Sequence, residues 1–457
     1  MSLTREIAKY ALSLDYSDIP EPVRHQARRF MLDSIGCALA AVENEDIRAA
    51  QRYVEKLGGV AEATVFASGL RCNAPCAALM NALLIRALDY NDIYWKQDPS
   101  HPSDLIPAAL AAGEKAHCST RELITAVVIA YELEMRWCLA AEPGIREIGW
   151  HHASLTQLVS PFLACRMLGL GEDQTVAAAG ISGSSHFTLG GVVAGHLSQM
   201  KNSADPFAVE AGVRAALLAS ENYTGPEQVI EGKEGVFEVL NSVKWSAEKL
   251  LDGLGEHYLI HECGLKAYPT EALTHQPITA ALNLRSKYRL SPEKIASVRV
   301  HTTRRGADIL SDPPKFDPRT RETADHSLPY CIAAALADGA VLPSSFSEDK
   351  LFDPVIRDLL TRIDVVADAG IDDLFPRIKR AVVEIETRAG EKLVELVDHA
   401  KGSPENPMSD DEVIEKFRAN AGAVLERPAQ QELVEATFSL GDRNLLISDY
   451  MKMTCRR

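Results

Sequence analysis

The sequence predicts two domains of different class: a large all-helical domain over 1–265, completed by 404–457, and a smaller α+β domain over 266–403. Three observations carry this. At 457 residues the chain exceeds the size at which a single hydrophobic core stops growing. Up to about residue 265, apolar residues recur at three-to-four spacing in one segment after another. Beyond 266, β-branched residues fall at alternating spacing and helical stretches interleave with them.

The elements follow in order. "VRHQARRFMLDSIGCALAAVE" has helical spacing after a start marked by Pro20 and Pro22. "CAALMNALLIRAL" is apolar nearly all round, which predicts a central, buried helix. "STRELITAVVIAYELEMRWCLA" opens with Ser119 and Glu122 at capping-box spacing. "ASLTQLVSPFLACRMLGLG" stops at Gly169 and Gly171. "ADPFAVEAGVRAALLASENYTGPE" is a further helix, closed by Gly225 and Pro226. In the second domain, "IASVRVHTT" and "RIDVVADAG" read as strands, and "RAVVEIETRAGEKLVELVD" as a hairpin turning at Ala389-Gly390. "HQPITAALNLRSKY" and "HSLPYCIAAALADG" are helical. "KGSPENP" reads as a linker, and "SDDEVIEKFRANAGAVL", with Ser409 and Glu412 as a capping box, returns to the helical domain.

Composition narrows the function classes. Hydrophobic content of 46% and charged content of 25% are those of a soluble globular protein. The formal charge of −16 argues against a nucleic-acid partner or an anionic membrane. Nine scattered cysteines make no disulfide framework and fit a reducing cytoplasm. Cys72 and Cys76 lack a second pair at zinc-site spacing and read as small buried residues. The N-terminus has no signal-peptide h-region, and no apolar run reaches the length of about 18 residues that spans a membrane. No G-x-G-x-x-G follows a strand, and Walker A and G-x-S-x-G motifs are absent. Ser198 to Lys201 matches S-x-x-K but lacks its companion motifs. His257 and His261 lie one helical turn apart without a third ligand, and read as a surface or capping pair.

The chemistry that survives is concentrated in "LDYNDIYWKQDPSHPSD". Asp89 and Asp92 would share a helix face. A carboxylate half-buried there has its pKa pushed up unless a cation sits close. His101-Pro102 precedes a helix capped by Ser103 or Asp104, with Pro107 in its first turn, so His101 lies beside N–H groups able to hold a carboxylate. "GWHHASLTQL" repeats this with His151 and His152. "MKNSADPFAVEAG" sets Lys201 ahead of a helix capped by Ser203 or Asp205. In the second domain stand Lys266 and His275, flanking Pro269, and His326 with Tyr330. Cations, imidazoles and acids at helix starts in both domains suit a small di- or tricarboxylate whose proton a His or Asp moves.

These segments resemble the MmgE/PrpD family over most of the chain. The strongest likenesses are "ALDYNDIYWKQDPSHPSD", "GWHHASLTQL", "QMKNSADPFAVEAGVRAALLASENYTGPEQVIEGKEGVFEVL", "LKAYPTEALTHQP" and "ADHSLPYCIAAALADG". The resemblance implies a helical domain with an α+β lid, a cytoplasmic homodimer, and a site in the cleft between the domains that needs no cofactor and no metal. It places active-site positions on Asp89, His101, His151, Lys201, Lys266, His275 and Tyr330. Asp89 or His151 is expected as base and His101 or Tyr330 as acid. Lys201, Lys266 and His275 are expected to bind substrate. The implied activity is dehydration of 2-methylcitrate, or a related hydroxy-polycarboxylate, to 2-methyl-cis-aconitate or its analogue, in the methylcitrate cycle of propionate catabolism. The alternatives are decarboxylation of cis-aconitate, or a non-catalytic carboxylate-binding protein on the same fold. Decarboxylase-like members carry Asp-Asp-Thr where this chain has Asn91-Asp92-Ile93, and "HPSD" and "THQP" look closer to the dehydratases.

Overall fold

The computed structural model of the protein describes residues 2–194 and 197–456. The chain divides into two compact units, Met1–Gly264 with Ser409–Arg457, and Leu265–Met408. The return to the first unit therefore comes at Ser409, just after "KGSPENP" and five residues beyond the expected 404. Leu265 N donates to Gly402 O at 2.9 Å and Gly402 N to Asn406 O at 2.8 Å, so that segment is hydrogen-bonded into the second unit.

The first unit is built on helices α1 (Glu21–Ala40), α2 (Ala74–Arg86), α3 (Ile106–Lys115), α4 (Thr120–Ala140), α5 (Ala153–Met167), α6 (Glu172–Gly183) and α7 (Met200–Ser220). It also holds short strand pairs, so it is helix-rich rather than purely helical. One pair is β1 (Asp92–Trp95) with β2 (Pro99–Ser100), antiparallel with Tyr94 opposite Ser100. α2 is buried over nearly its whole length, as its apolar sequence predicts, and Asn73 caps it by accepting from Cys76 N. α4 is capped by Ser119, which accepts from Glu122 N. Each fully buried Leu, Ile or Phe in such helices contributes about 1.5–3 kcal/mol relative to exposure.

Helices α5 and α7 carry much of the site, and their fit has two visible causes. Pro161 lies inside α5 and cannot donate to the carbonyl one turn back. That carbonyl, Gln157 O, instead accepts from Ser182 Oγ at 2.8 Å. On α7, a Cβ at Gly212 would stand 2.0 Å from Ser160 Oγ and 2.8 Å from Pro161 N. Only glycine allows the two helices to come this close. α7 also begins earlier than expected: Lys201 lies in its first turn, and neither Ser203 nor Asp205 is a cap. Ser203 Oγ donates to Gln199 O at 2.9 Å, and Pro206 sits inside the helix.

The second unit holds α8 (His275–Tyr288), β3 (Ile295–Thr302), α9 (Leu328–Asp338), β4 (Ile363–Ala367), β5 (Ala381–Thr387) and β6 (Lys392–Val397). The strand order is β6-β5-β3-β4, with β3 and β4 parallel and the other pairs antiparallel. β5 and β6 form the hairpin read from "RAVVEIETRAGEKLVELVD", with Glu386 opposite Lys392. Burial alternates along β5, the signature of a sheet with one covered face.

After this unit, α10 (Asp410–Ala421) rejoins the first. Ser409 and Glu412 form the expected capping box. Lys416 Nζ lies 2.7 Å from Asp33 Oδ1 and donates to Tyr90 O at 2.8 Å. Among the described residues no helix is long and apolar enough to cross a membrane, and the cysteines are free, with Cys72 and Cys76 buried.

Candidate active site

α2 ends at Arg86, and the next turn takes Asp89 into the left-handed region, φ +49°. Asp92 then opens β1. Asp89 and Asp92 are thus not on one helix face, and neither is solvated: both are buried. Their surroundings differ. The Asp89 carboxylate meets the Arg86 guanidinium through one oxygen and Lys201 Nζ, at 3.1 Å, through the other. Among the described residues no such cation is paired with Asp92. Its carboxylate accepts from Ser103 Oγ at 2.6 Å, Ser103 N at 3.1 Å and Tyr131 OH at 2.6 Å. Burial outweighs these bonds and pushes the Asp92 carboxyl up to about 6.

His101 precedes a single 3-10 turn, Pro102–Leu105, that runs into α3. Ser103 and Asp104 do not cap α3. Ser103 is spent on Asp92, and Asp104 Oδ1 accepts from Asn91 Nδ2 at 3.0 Å while its Oδ2 lies 3.6 Å from Arg86 Nε. His101 Nδ1 lies 2.6 Å from Asp92 O. A carbonyl can only accept, so the proton sits on Nδ1 and proton exchange falls to Nε2.

His151 and His152 stand at the start of α5, with His152 as N-cap residue. Their rings lie 3.9 Å apart at 34°, and His152 is 5.5 Å from the His101 ring. His151 Nδ1 accepts from Ala153 N at 3.2 Å, which sets the neutral tautomer with hydrogen on Nε2. His152 Nε2 faces Asp205 Oδ2 at 3.3 Å. The other oxygen of Asp205 lies 3.0 Å from Thr156 Oγ1, which is 2.9 Å from Glu134 Oε1. Ser100 Oγ donates to that same Glu134 oxygen.

Buried charge sorts these groups. Burial acts to raise Asp205, but the charge and hydrogen bond of His152, with His151 and Arg86, hold it well below the carboxylate range. Burial drives His151 far below the usual imidazole range, and the charge of His152 lowers it further. Glu134 is pushed up to about 8 by burial despite its two hydroxyl partners. Burial and the charge of Asp205 raise Asp104 well above the ordinary value, against Arg86. The result is a buried cluster in which Asp205 is biased towards the ionised form and Glu134 towards the neutral one.

The structure therefore brings the four sequence-predicted residues of the first unit, Asp89, His101, His151 and Lys201, into one buried polar cluster. Sequence reasoning did not pick out Arg86, Tyr131, Glu134 or Thr156 as members of this cluster; it set His152 beside His151 without a partner and gave Asp205 only as a cap. The available signal was charge inside apolar helices: Glu134 in "VVIAYELEMRW" and Arg86 in "LLIRAL". His151, His152 and Asp205 offer ligand atoms within 4.8 Å of one another. Asp205 Oδ2 and His152 Nε2 face each other at 3.3 Å, so two of these three residues already stand at ion-pair distance.

In the second unit, Lys266 and His275 are buried and share one acceptor. Thr270 O accepts from Lys266 Nζ at 3.1 Å and lies 3.4 Å from His275 Nε2. His275 opens α8, with its ring edge-on to Tyr268. Tyr330 does not join them as a proton donor. It is fully buried in α9, its hydroxyl donates to Ser345 O at 2.7 Å, and burial raises its pKa beyond the normal tyrosine range. His326 pairs with its neighbour Asp325. His257 and His261 are exposed, and Ser198 is an exposed residue whose carbonyl accepts from Lys201 N.

Comparison with known proteins finds relatives along nearly the whole chain. The chain is similar along its length to the cis-aconitate decarboxylase-like protein oryM of Aspergillus oryzae, at 26% identity over 96% of this chain and 94% of the relative. It is equally similar, at 26%, to a cis-aconitate decarboxylase of Aspergillus terreus, over 99% of this chain and 95% of the relative. A 2-methylcitrate dehydratase of Cupriavidus necator matches at 26% over 93% of this chain and 92% of the relative. The MmgE/PrpD N-terminal domain matches residues 5–247 and the MmgE/PrpD C-terminal domain residues 268–440. With both domain models matched in order over nearly the whole chain, and a buried cluster of carboxylates, imidazoles and cations inside the first of them, the chain belongs to the MmgE/PrpD family.

Proposed function

We propose that the protein is a hydro-lyase that needs no cofactor and dehydrates 2-methylcitrate or a close hydroxy-polycarboxylate to 2-methyl-cis-aconitate or its analogue. The observation that carries the reading is His101: Nδ1 lies on a backbone carbonyl, which fixes the lone pair on Nε2, and the buried ring stands 5.5 Å from that of His152. Arg86 and Lys201, now shared with Asp89, supply positive charge for substrate carboxylates, stronger in a dry site than in water. Lys266 and His275 are carried as further substrate-binding groups.

His101 Nε2 takes the proton from the carbon next to a carboxylate. The enolate-like charge that develops is held by the cations. Protonated His101 then returns its proton to the departing hydroxyl, so that water leaves and the imidazole is restored. His151, neutral with hydrogen on Nε2, donates a hydrogen bond rather than acting as base. Asp89, held between two cations, is a poor base and positions Lys201 instead. Tyr330, with its hydroxyl committed, drops from the acid role.

Decarboxylation of cis-aconitate is the second reading, favoured by the fungal relatives. It passes through the same carbanion-like state but loses carbon dioxide. Proton NMR of 2-methylcitrate and of cis-aconitate incubated with the protein separates the two by product. His101→Ala is expected to lower kcat by about 10²–10⁴-fold with the fold intact by circular dichroism. Calorimetric binding of these acids with no turnover of either would instead support a non-catalytic carboxylate binder. Parent-rate turnover by His101→Ala would refute the proton-transfer assignment.

A further inference from the structure

Resting on the reading that His101 and His151 work on substrate, we infer that His152 with Asp205 is the positioning element of the site: an ion pair that holds a charged ring against the face of His151 and sorts the protons between the two. His152 adjoins His151 in sequence, yet the two rings have different partners. His152 Nε2 meets a carboxylate at 3.3 Å. His151 Nδ1 meets a backbone N–H at 3.2 Å, which suits only a lone pair. Adding a proton to His151 would set that nitrogen against the N–H and a second cation 3.9 Å, ring to ring, from the first. The cheaper arrangement is one cation, on His152.

Asp205 is itself held. Thr156 Oγ1 lies between Asp205 and Glu134, and one hydroxyl cannot give its single proton to both. Glu134, neutral under burial, can give its own proton to Thr156, which then gives its proton to Asp205. The row Glu134, Thr156, Asp205, His152 runs in one direction and ends on the ring that faces His151. Other titratable groups around the pair, among the described residues, include His101, Asp98, Asp104, Arg146 and Arg86. Arg146 and Arg86 add to the positive field that opposes protonation of His151. Among the described residues His152 Nδ1 meets no hydrogen-bond acceptor, and Nε2 faces Asp205 Oδ2 at ion-pair distance without hydrogen-bond geometry; a substrate carboxylate would complete Nδ1.

The test needs no substrate in its first arm. Nitrogen-15 NMR of histidine-labelled protein at neutral pH, with signals assigned from His151→Gln and His152→Gln, should show His152 protonated on both nitrogens and His151 on one. Both rings in the neutral form, or the proton on His151 instead, would overturn the inference whatever the reaction proves to be. In the second arm, removing the charge with His152→Gln should raise the titration midpoint of His151 and move the acid limb of the kcat–pH profile upward with it. A purely structural role would lower kcat equally at every pH and leave the His151 midpoint in place. Should His152→Gln fail to fold, the ring states of the unaltered protein, assigned by His151→Gln and the remaining histidines, still decide. Turnover lost on His101→Ala with the ring states as stated would keep this inference; absence of any turnover on polycarboxylates would remove the proposed reaction without touching it.

Discussion

Replacing Glu134 by glutamine keeps the length and shape of the side chain and removes its ionisation. In the folded protein the carboxyl is pushed up to about 8 from an ordinary 4.5. A raised value means that the folded state holds the proton more tightly. The associated stability is complete below about pH 4.5 and is lost as pH rises through about 8. At about 1.4 kcal/mol per unit, the whole gap is worth about 5 kcal/mol, and about 4 of it falls between pH 5 and pH 9. Glu134→Gln does not titrate, so its stability should escape that decline. The difference between variant and parent should grow by about 4 kcal/mol in favour of the variant across this range. Urea unfolding followed by tryptophan fluorescence measures it, because the protein's four tryptophans, Trp95, Trp137, Trp150 and Trp245, all lie in the first unit. Parallel stability curves for variant and parent from pH 5 to pH 9 would refute the reasoning, since Glu134 would then be titrating as an ordinary exposed acid.

Tyr330→Phe should leave kcat within about twofold of the parent and cost about 1 kcal/mol of stability, the net worth of one hydrogen bond to a backbone carbonyl; a large loss of kcat in steady-state assay would return the tyrosine to the proton-donor role. Asp89→Asn leaves Arg86 and Lys201 facing an uncharged amide inside the protein, so it should destabilise by about 3–5 kcal/mol in the same urea assay. Dialysis against a chelator should leave turnover unchanged, because side chains alone carry the proposed proton transfers; loss that a divalent cation restores would replace the Asp205–His152 ion pair by a metal at the same atoms.

The parts of the fold that were legible are those that local periodicity dictates. The all-round apolar α2, the Ser119 start of α4 and the β5–β6 hairpin each follow from residues within one segment. The site was legible only as a set of residue types. His101, His151 and Lys201 could be picked out because imidazoles and amines beside helix starts suit carboxylates. Their partners could not, because Arg86 reaches Asp104, and His152 reaches Asp205, across long stretches of chain. Asp89 was misplaced on a helix because its left-handed turn carries no glycine to announce it. Lys201 was set outside α7 because Pro206 reads as a helix start, whereas the helix begins a turn and a half earlier.

The bond from Lys416 to Tyr90 O has a consequence for how the protein is made. When a ribosome has finished residue 264, every catalytic candidate of the first unit has been synthesised, yet the amine that neutralises Asp33 and holds the carbonyl just ahead of Asn91 and Asp92 has not. The second unit is complete at residue 408 and can close while the first still waits for α10. A nascent chain thus carries Asp33 without its lysine until α10 emerges, and a chain cut short there would leave Asp33 buried with only the more distant charge of Arg29 to oppose it.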